Sequence, residues 1–267
     1  MFDLGPIIEN SGAKLVAIAF HDLETGSEFL HNADESFQPA STMKIHVMME
    51  VFNQVEKFLI DLDDELQVVN SFQSAADGDY AVPADEDSDQ TLYDKIGQTE
   101  KIRELVRLMI VRSSNLATNI LIDKVSIACI NALSRELGIQ GVNIRRGIYD
   151  ARASRMGINS SITARGLMQT LQLLAEEKVV SKTASREMIN ILLAQEFNKG
   201  IPAGLPGEIG TAHKTGWDEK IYHDAAIVFP EKRKPYILVV LTHGIEKLEN
   251  ARECVASVSK LIYGKIQ

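Results

Sequence analysis

Three short motifs hold the residues whose chemistry stands out. Ser41-Thr42-Met43-Lys44 sets a hydroxyl and an amine three residues apart. At a helix start that spacing puts both on one face, with Cβ atoms roughly 5–6 Å apart. A lysine held away from water gives up its proton more readily. Lys44 could then take the Ser41 proton and make Ser41 a nucleophile. A helix N-terminus also favours negative charge developing nearby. The plainer alternative is that Ser41 caps a helix. The pattern recurs at Ser11–Lys14 and Ser257–Lys260, so alone it selects nothing. Ser257–Lys260 falls inside a predicted helix, and Ser11–Lys14 lies before the first predicted strand.

Ser113-Ser114-Asn115 is the second motif and Lys214-Thr215-Gly216 the third; each occurs once. The second falls between two helical stretches, where Ser and Asn are common turn formers. Ser113 could pass a proton to a leaving group, and Asn115 could hydrogen-bond a substrate amide. The third ends a predicted strand. Lys214 and Thr215 would put a cation and a hydroxyl beside a substrate carboxylate. Gly216 permits close backbone approach. The Trp217 and Ser41 N–H groups could together form an oxyanion hole. His213 precedes Lys214, and strand alternation points it the other way, into a structural role.

Such motifs need a scaffold to bring them together. Lys14–His21 and Ser27–His31 flank the turn signal Glu24-Thr25-Gly26 and read as a hairpin. Glu208–Thr215, Tyr222–Phe229 and Tyr236–His243 read as further strands, and Asn250–Tyr263 as a closing helix. Between them, Met43–Leu59 is apolar on nearly all faces, which predicts a buried central helix. Ile102–Ile110, Leu116–Val125, Ala164–Ala175 and Ser185–Leu193 carry helical periodicity. Strands at both ends around a helical middle predict an α+β fold, with the terminal segments sharing one antiparallel sheet. Ala76–Gln90, with its acidic run Asp85-Glu86-Asp87-Ser88-Asp89, reads as a solvated acidic loop.

Composition narrows the function. The 267 residues carry a formal charge of −9 and no basic cluster beyond Glu231–Lys234, which argues against nucleic acid. No apolar run is long enough to span a bilayer. No signal-peptide pattern opens the chain, which would suit a cytoplasmic protein or one whose leader has been removed. Cys129 and Cys254 read as two buried free thiols. The six histidines show no metal-ligand spacing, and His46 on the central helix reads as a hydrogen-bonded core residue. Neither a metal nor an organic cofactor is expected.

Taken together, Ser-x-x-Lys, then Ser-x-Asn, then Lys-Thr-Gly resemble the signature of class A β-lactamases and penicillin-binding proteins. Asn32, Phe37 and Ala40 before Ser41, Ala117 and Asn119 after the second motif, and Asp224, Ala226 and Pro230 after the third extend the resemblance. Thr242-His243-Gly244 resembles the end of that family's last strand, and the likeness runs from about Leu15 to the C-terminus. It implies one catalytic domain over 1–267. In it, 1–40 and 205–267 form a five-stranded antiparallel sheet with flanking helices, and 41–204 an all-helical part. Catalysis would rest on Ser41, Lys44, Ser113 and Lys214, and substrate binding on Asn115, Thr215, Gly216 and Trp217. The partner would be a small molecule, a β-lactam or a peptide or ester analogue, and the location periplasmic or secreted. The activity implied is β-lactam hydrolysis through a Ser41 acyl-enzyme. The alternatives are a D-alanyl-D-alanine peptidase or esterase, or a module that deacylates slowly.

The chain departs from class A enzymes at several places. Their glutamate, which activates the deacylating water, has no counterpart in Asn143–Thr163. With Asn159 aligned to that loop's asparagine, Arg155 takes the glutamate position. Asp150 could replace that glutamate or pair with Arg145, Arg146 or Arg152, and the ion pair is the expectation. Ser114 stands where the family has aspartate, and the longer Lys44–Ser113 segment should enlarge the loop above the groove. The arginine that often holds the substrate carboxylate is not identifiable; Lys220 and His223 are the candidates.

Overall fold

The computed structural model describes residues 3–207 and 209–266. One antiparallel sheet organises the molecule. Its strands are β1 (Leu15–Asp22), β2 (Glu28–His31), β3 (Gly210–Asp218), β4 (Ile221–Phe229) and β5 (Tyr236–His243). Their spatial order is β2-β1-β5-β4-β3, so the two chain ends share the sheet as the strand patterns predict. Glu208, where the third predicted strand was to begin, lies outside the described residues.

The central strands are apolar on both faces because both faces are covered. Ala17, Ala19, Val239 and Leu241 pack toward the helical body, where α7 (Ala164–Ala175) supplies Leu167, Met168 and Leu171. The alternate residues Val16, Ile18, Phe20, Leu238 and Val240 meet Val255, Val258 and Ile262 of α9 (Leu248–Ile266). A period of two thus divides β1 and β5 between two cores. The single turn Ile201–Gly204 lies directly on α9. A Cβ at Gly204 would sit 2.0 Å from the Ala256 carbonyl oxygen, so only glycine fits.

On the other side, α2 (Lys44–Glu56) is buried continuously from Lys44 to Phe52, which explains its apolar character on every face. The helix stops short of the predicted Leu59 because Phe58 adopts φ +57°, a left-handed helix-ending conformation. Packed around it are α3 (Ile102–Val111), α4 (Asn115–Val125), α5 (Ile127–Glu136) and α8 (Lys182–Leu193). Three short two-stranded ladders join them, and Val142–Asn143 pairs with Ser161–Ile162 to close a long loop. Phe37 bonds Ile162 through both backbone groups, at 2.8 and 2.9 Å, tying that loop to the segment before Ser41. Sequence periodicity missed α5 and α1 (Gly5–Ser11). The cue for α1 was present, a proline in its first turn and Gly12 at φ +70° after its end. Both cysteines are free; Cys254 is buried, whereas Cys129 is exposed, contrary to the expectation of two buried thiols. Among the described residues no single helix is long and apolar enough to cross a membrane.

Gly204→Ala should force that turn away from α9 and lower stability by about 1–3 kcal/mol, the usual cost of overpacking. Urea unfolding would show it; an unchanged midpoint would mean the turn is free to move.

Candidate active site

The three motifs converge where the N-terminus of α2, the α3–α4 turn and the edge strand β3 meet. Ser41 lies in a 3-10 turn, Ala40–Met43, that leads into α2. It is half-buried on the wall of a cavity of about 420 Å³. Two residues at the site hold left-handed backbone angles, Ala40 at φ +44° and Ser113 at φ +57°. Such conformations typically cost of order 1–3 kcal/mol and persist where packing over-determines them.

Ser113 is the hub. Lys44 Nζ donates to the Ser113 carbonyl at 2.7 Å, to Ser113 Oγ at 3.2 Å and to Asn115 Oδ1 at 2.7 Å. Lys214 Nζ donates to the same Oγ at 3.1 Å and to the Thr215 carbonyl at 3.0 Å. One hydroxyl therefore lies between two fully buried amines. Burial is the main force depressing the Lys44 pKa, which falls well below the ordinary lysine value. The Lys214 charge adds to the fall, and Asp87 opposes it. Burial also brings Lys214 down to about 7, against the pull of Asp224. No hydrogen bond among the described residues ends on Ser41 Oγ, which leaves it free toward the cavity.

The third motif closes the front. A Cβ at Gly216 would meet the Ser41 amide nitrogen at 2.8 Å and Ala40 Cβ at 3.1 Å. The missing side chain is what lets β3 lie against the Ser41 turn. Thr215 Oγ1 is buried without a hydrogen-bond partner among the described residues. Trp217 lines the cavity and stands edge-on to Phe197 at 5.0 Å between centroids. His213 points away, as alternation requires. Its Nδ1 meets Asp224 Oδ1 at 2.9 Å and its Nε2 meets Asn198 Oδ1 at 3.0 Å. His46 contacts Thr170 Oγ1 at 3.0 Å inside the core, and burial lowers its pKa to about 4.

Several expectations need correction. The acidic loop is only partly solvated: Asp85 and Glu86 are exposed, but Asp87 and Asp89 are buried. Asp87 accepts the Asn115 amide at 2.9 and 3.0 Å, the Leu116 amide at 2.9 Å and the Tyr93 hydroxyl at 3.0 Å. It thus puts a carboxylate at the N-terminus of α4, where the helix dipole favours one. Asp150 pairs with none of the three arginines. It is fully buried, caps the Ala153 amide of α6 (Ala151–Arg155) at 3.0 Å, and accepts from Ser74 Oγ and the Ala75 amide at 2.8 Å. Arg155 is exposed and off the cavity wall; the loop instead presents residues 146–149, Ala151 and Ser154. His223 is buried and held between the Gln38 carbonyl at 2.9 Å and the Thr242 amide at 3.2 Å. Lys220 pairs with Glu246 at 3.1 Å. Neither residue lines the cavity. Among the described residues no group of three His, Cys, Asp or Glu side chains could hold a metal ion.

Comparison with known proteins gives the family and the fold. A family model described as "Beta-lactamase enzyme family" matches residues 3–266. The chain is 26% identical over 274 residues to β-lactamase CTX-M-8 of Citrobacter amalonaticus, covering 97% of this chain and 86% of that one. It is 24% identical to a β-lactamase of Bacteroides uniformis, covering 90% and 82% of the two chains. Among solved structures, a β-lactamase from Sphaerobacter thermophilus has a TM-score of 0.86 at 21% identity, over 98% of this chain and 96% of that one. The penicillin-binding protein PBP-A has a TM-score of 0.83 at 20% identity, over 98% and 95%.

Asp87 opposes the fall of the Lys44 pKa, so Asp87→Asn should move the Lys44 titration further toward acid. The ¹³Cε shift of labelled lysine reports this directly. An unmoved titration would show that Asp87 acts only as a helix cap.

Proposed function

Because the chain belongs to the beta-lactamase enzyme family, whose members hydrolyse small-molecule β-lactams, we propose that Ser41 opens the β-lactam amide and carries the acyl group as an ester. The observation that carries this reading is the Ser113 hydroxyl bridging Lys44 and Lys214. Neutral Lys44 takes the Ser41 proton as Oγ attacks the carbonyl carbon. The Ser41 and Trp217 N–H groups receive the developing oxyanion. As the C–N bond breaks, Ser113 donates its proton to the leaving nitrogen and is reprotonated from the lysine side. Lys214, in its cationic form, and the unpartnered Thr215 hydroxyl hold the substrate carboxylate. The Asn115 amide N–H, left free by the bond from Lys44 to Oδ1, takes a substrate carbonyl.

Release of the acyl group is the weak step in this proposal. The 143–163 loop has no glutamate, and its one carboxylate, Asp150, is consumed by three hydrogen bonds away from the cavity. Of the carboxylates on the cavity wall, Asp87 is committed to α4, and Asp218 accepts Gln38 Nε2 at 2.8 Å. Asp85 and Glu86 stand exposed. A mutant of the structural neighbour PBP-A is known as an acyl-enzyme complex with penicillin-G, which supports acylation on this fold. The missing base also favours a second reading, in which the protein is a D-alanyl-D-alanine peptidase or esterase that penicillins trap.

Penicillin-G should therefore add one mass equivalent per chain, on the peptide containing Ser41, in a burst followed by slow turnover. Ser41→Ala should show no adduct. Time-resolved intact mass decides the matter: an adduct on the variant would sink the assignment, and fast turnover without accumulation would reveal another base.

The pH dependence follows from Lys214. Its lowered pKa, about 7, means that it is cationic below neutrality and loses its charge as pH rises through that value. The preference for penicillin-G over its methyl ester should then be full in mild acid and fade through neutral pH. Second-order acylation rates report the free enzyme and measure this. A ratio that does not change with pH would remove Lys214 from the carboxylate site.

A further inference from the structure

A second hollow of about 510 Å³ adjoins the groove and shares Gln38, Arg146, Ser154, Ser160 and Asp218 with it. Its remaining wall combines Ser36, Asn159 and Ser161 with the apolar Phe37. Arg146 stands at the junction. It is half-buried, and its Nε is buried with no hydrogen-bond partner among the described residues. Its Nη1 donates a long hydrogen bond, 3.3 Å, to the carbonyl of its neighbour Gly147. No carboxylate oxygen among the described residues lies within 4.0 Å of it. By contrast, Arg103, Arg107, Arg112, Arg152, Arg165, Arg186, Arg233 and Arg252 all have such a partner. The other arginines without one, Arg135, Arg145 and Arg155, are exposed to water.

A guanidinium withdrawn from water and left without an anion is costly, and its planar fork matches a carboxylate. Asp218, the carboxylate that shares the hollow, is engaged by Gln38 and by the Glu219 amide at 2.8 Å each. Asp85 and Glu86 line the groove but not the hollow. Resting on the acyl-enzyme reading above, we propose that Arg146 is a second anion site, taking a carboxylate carried on the acyl half of the substrate. The assignment to the acyl half follows from the walls. The first carboxylate site belongs to Lys214 and Thr215 on β3, beside Ser113, which protonates the leaving nitrogen. Arg146 comes from the 143–163 loop, across from the β3 motif, and lines the same cavity as Ser41. A carboxylate held there would stay bound after the leaving group has gone.

Carbenicillin and benzylpenicillin differ by one carboxylate on the acyl side chain and are the probes. Their second-order rates of Ser41 acylation, from intact mass, give a ratio in which general loosening of the pocket cancels. Arg146→Ala and Arg146→Gln should lower the carbenicillin-to-benzylpenicillin ratio about tenfold or more, the loss expected for a charge-assisted pair. Arg146→Lys should restore part of it, keeping the charge without the fork. If benzylpenicillin still acylates Ser41 and the ratio is the same in all four proteins, the subsite is overturned while the function stands. If the unmodified protein takes up neither penicillin, the acyl-enzyme reading falls and the subsite with it.

Discussion

Two lysines that share one serine hydroxyl inside the protein set the terms for the rest of the structure. Lys44 and Lys214 are both fully buried, and both reach Ser113 Oγ. Burying one ammonium is costly, and burying two side by side as cations is worse. The structure responds by making proton loss easier at both, and by placing single carboxylates nearby to limit the effect. Asp224 acts on Lys214 and Asp87 on Lys44. A base and a cation of the same residue type can thus coexist a hydroxyl apart. That difference in ionisation is what an acyl-transfer site needs: a neutral amine to accept a proton and a charged one to hold an anion.

Holding this arrangement requires rigid neighbours, and the fold supplies them on three sides. The central helix α2 fixes Lys44 because its first nine residues, Lys44 to Phe52, are all buried. The α3–α4 turn is clamped by Asp87 from below and by Ser88, whose hydroxyl donates to the Ser113 carbonyl at 3.0 Å. That clamp keeps Ser113 at its unfavourable φ. On the third side, the Asp224 carboxylate divides its oxygens between His213 and the Ile201 amide at 2.8 Å, anchoring β3 and β4 behind Lys214. His213 and Lys214 are adjacent in sequence yet serve opposite faces of the sheet. As an edge strand, β3 also leaves one side of its backbone free to meet a ligand.

The sheet, the main helices and the three motifs were legible because they rest on patterns local in sequence. Alternation marks the strands, and the apolar run after Ser41 marks α2. What stayed hidden depends on which charges the fold buries. The run Asp85–Asp89 has the composition of a solvated loop, yet Asp87 turns inward and caps α4. It brings a carboxylate from a distant segment to the start of α4, beside the second motif. Asp150 among arginines looked like half of an ion pair. The signal that it is an N-cap was the following Ala-Arg-Ala-Ser stretch, whose third amide it accepts. Arg155 was placed by aligning one asparagine, and the loop's fold sets a different register, with Arg146 to Tyr149 on the cavity wall.

That register separates two steps of the chemistry onto different parts of the molecule. Ser41, Lys44, Ser113 and Lys214 come from the 3-10 turn before α2, α2 itself, the α3–α4 turn and β3, and none of them comes from the 143–163 loop. The loop is nevertheless held firmly beside Ser41, through the Phe37–Ile162 pair and the short ladder at its base. Its chemistry can therefore change without disturbing acylation. Class A enzymes place a base for water on this loop; this chain places an arginine, a glycine, an isoleucine and a tyrosine there. A guanidinium cannot accept a proton, but it can bind an anion. If Arg146 binds an anion as proposed, the loop trades release of the acyl group for recognition of it. On the proposed reading, the same scaffold would favour a long-lived, selectively formed acyl-enzyme over rapid turnover.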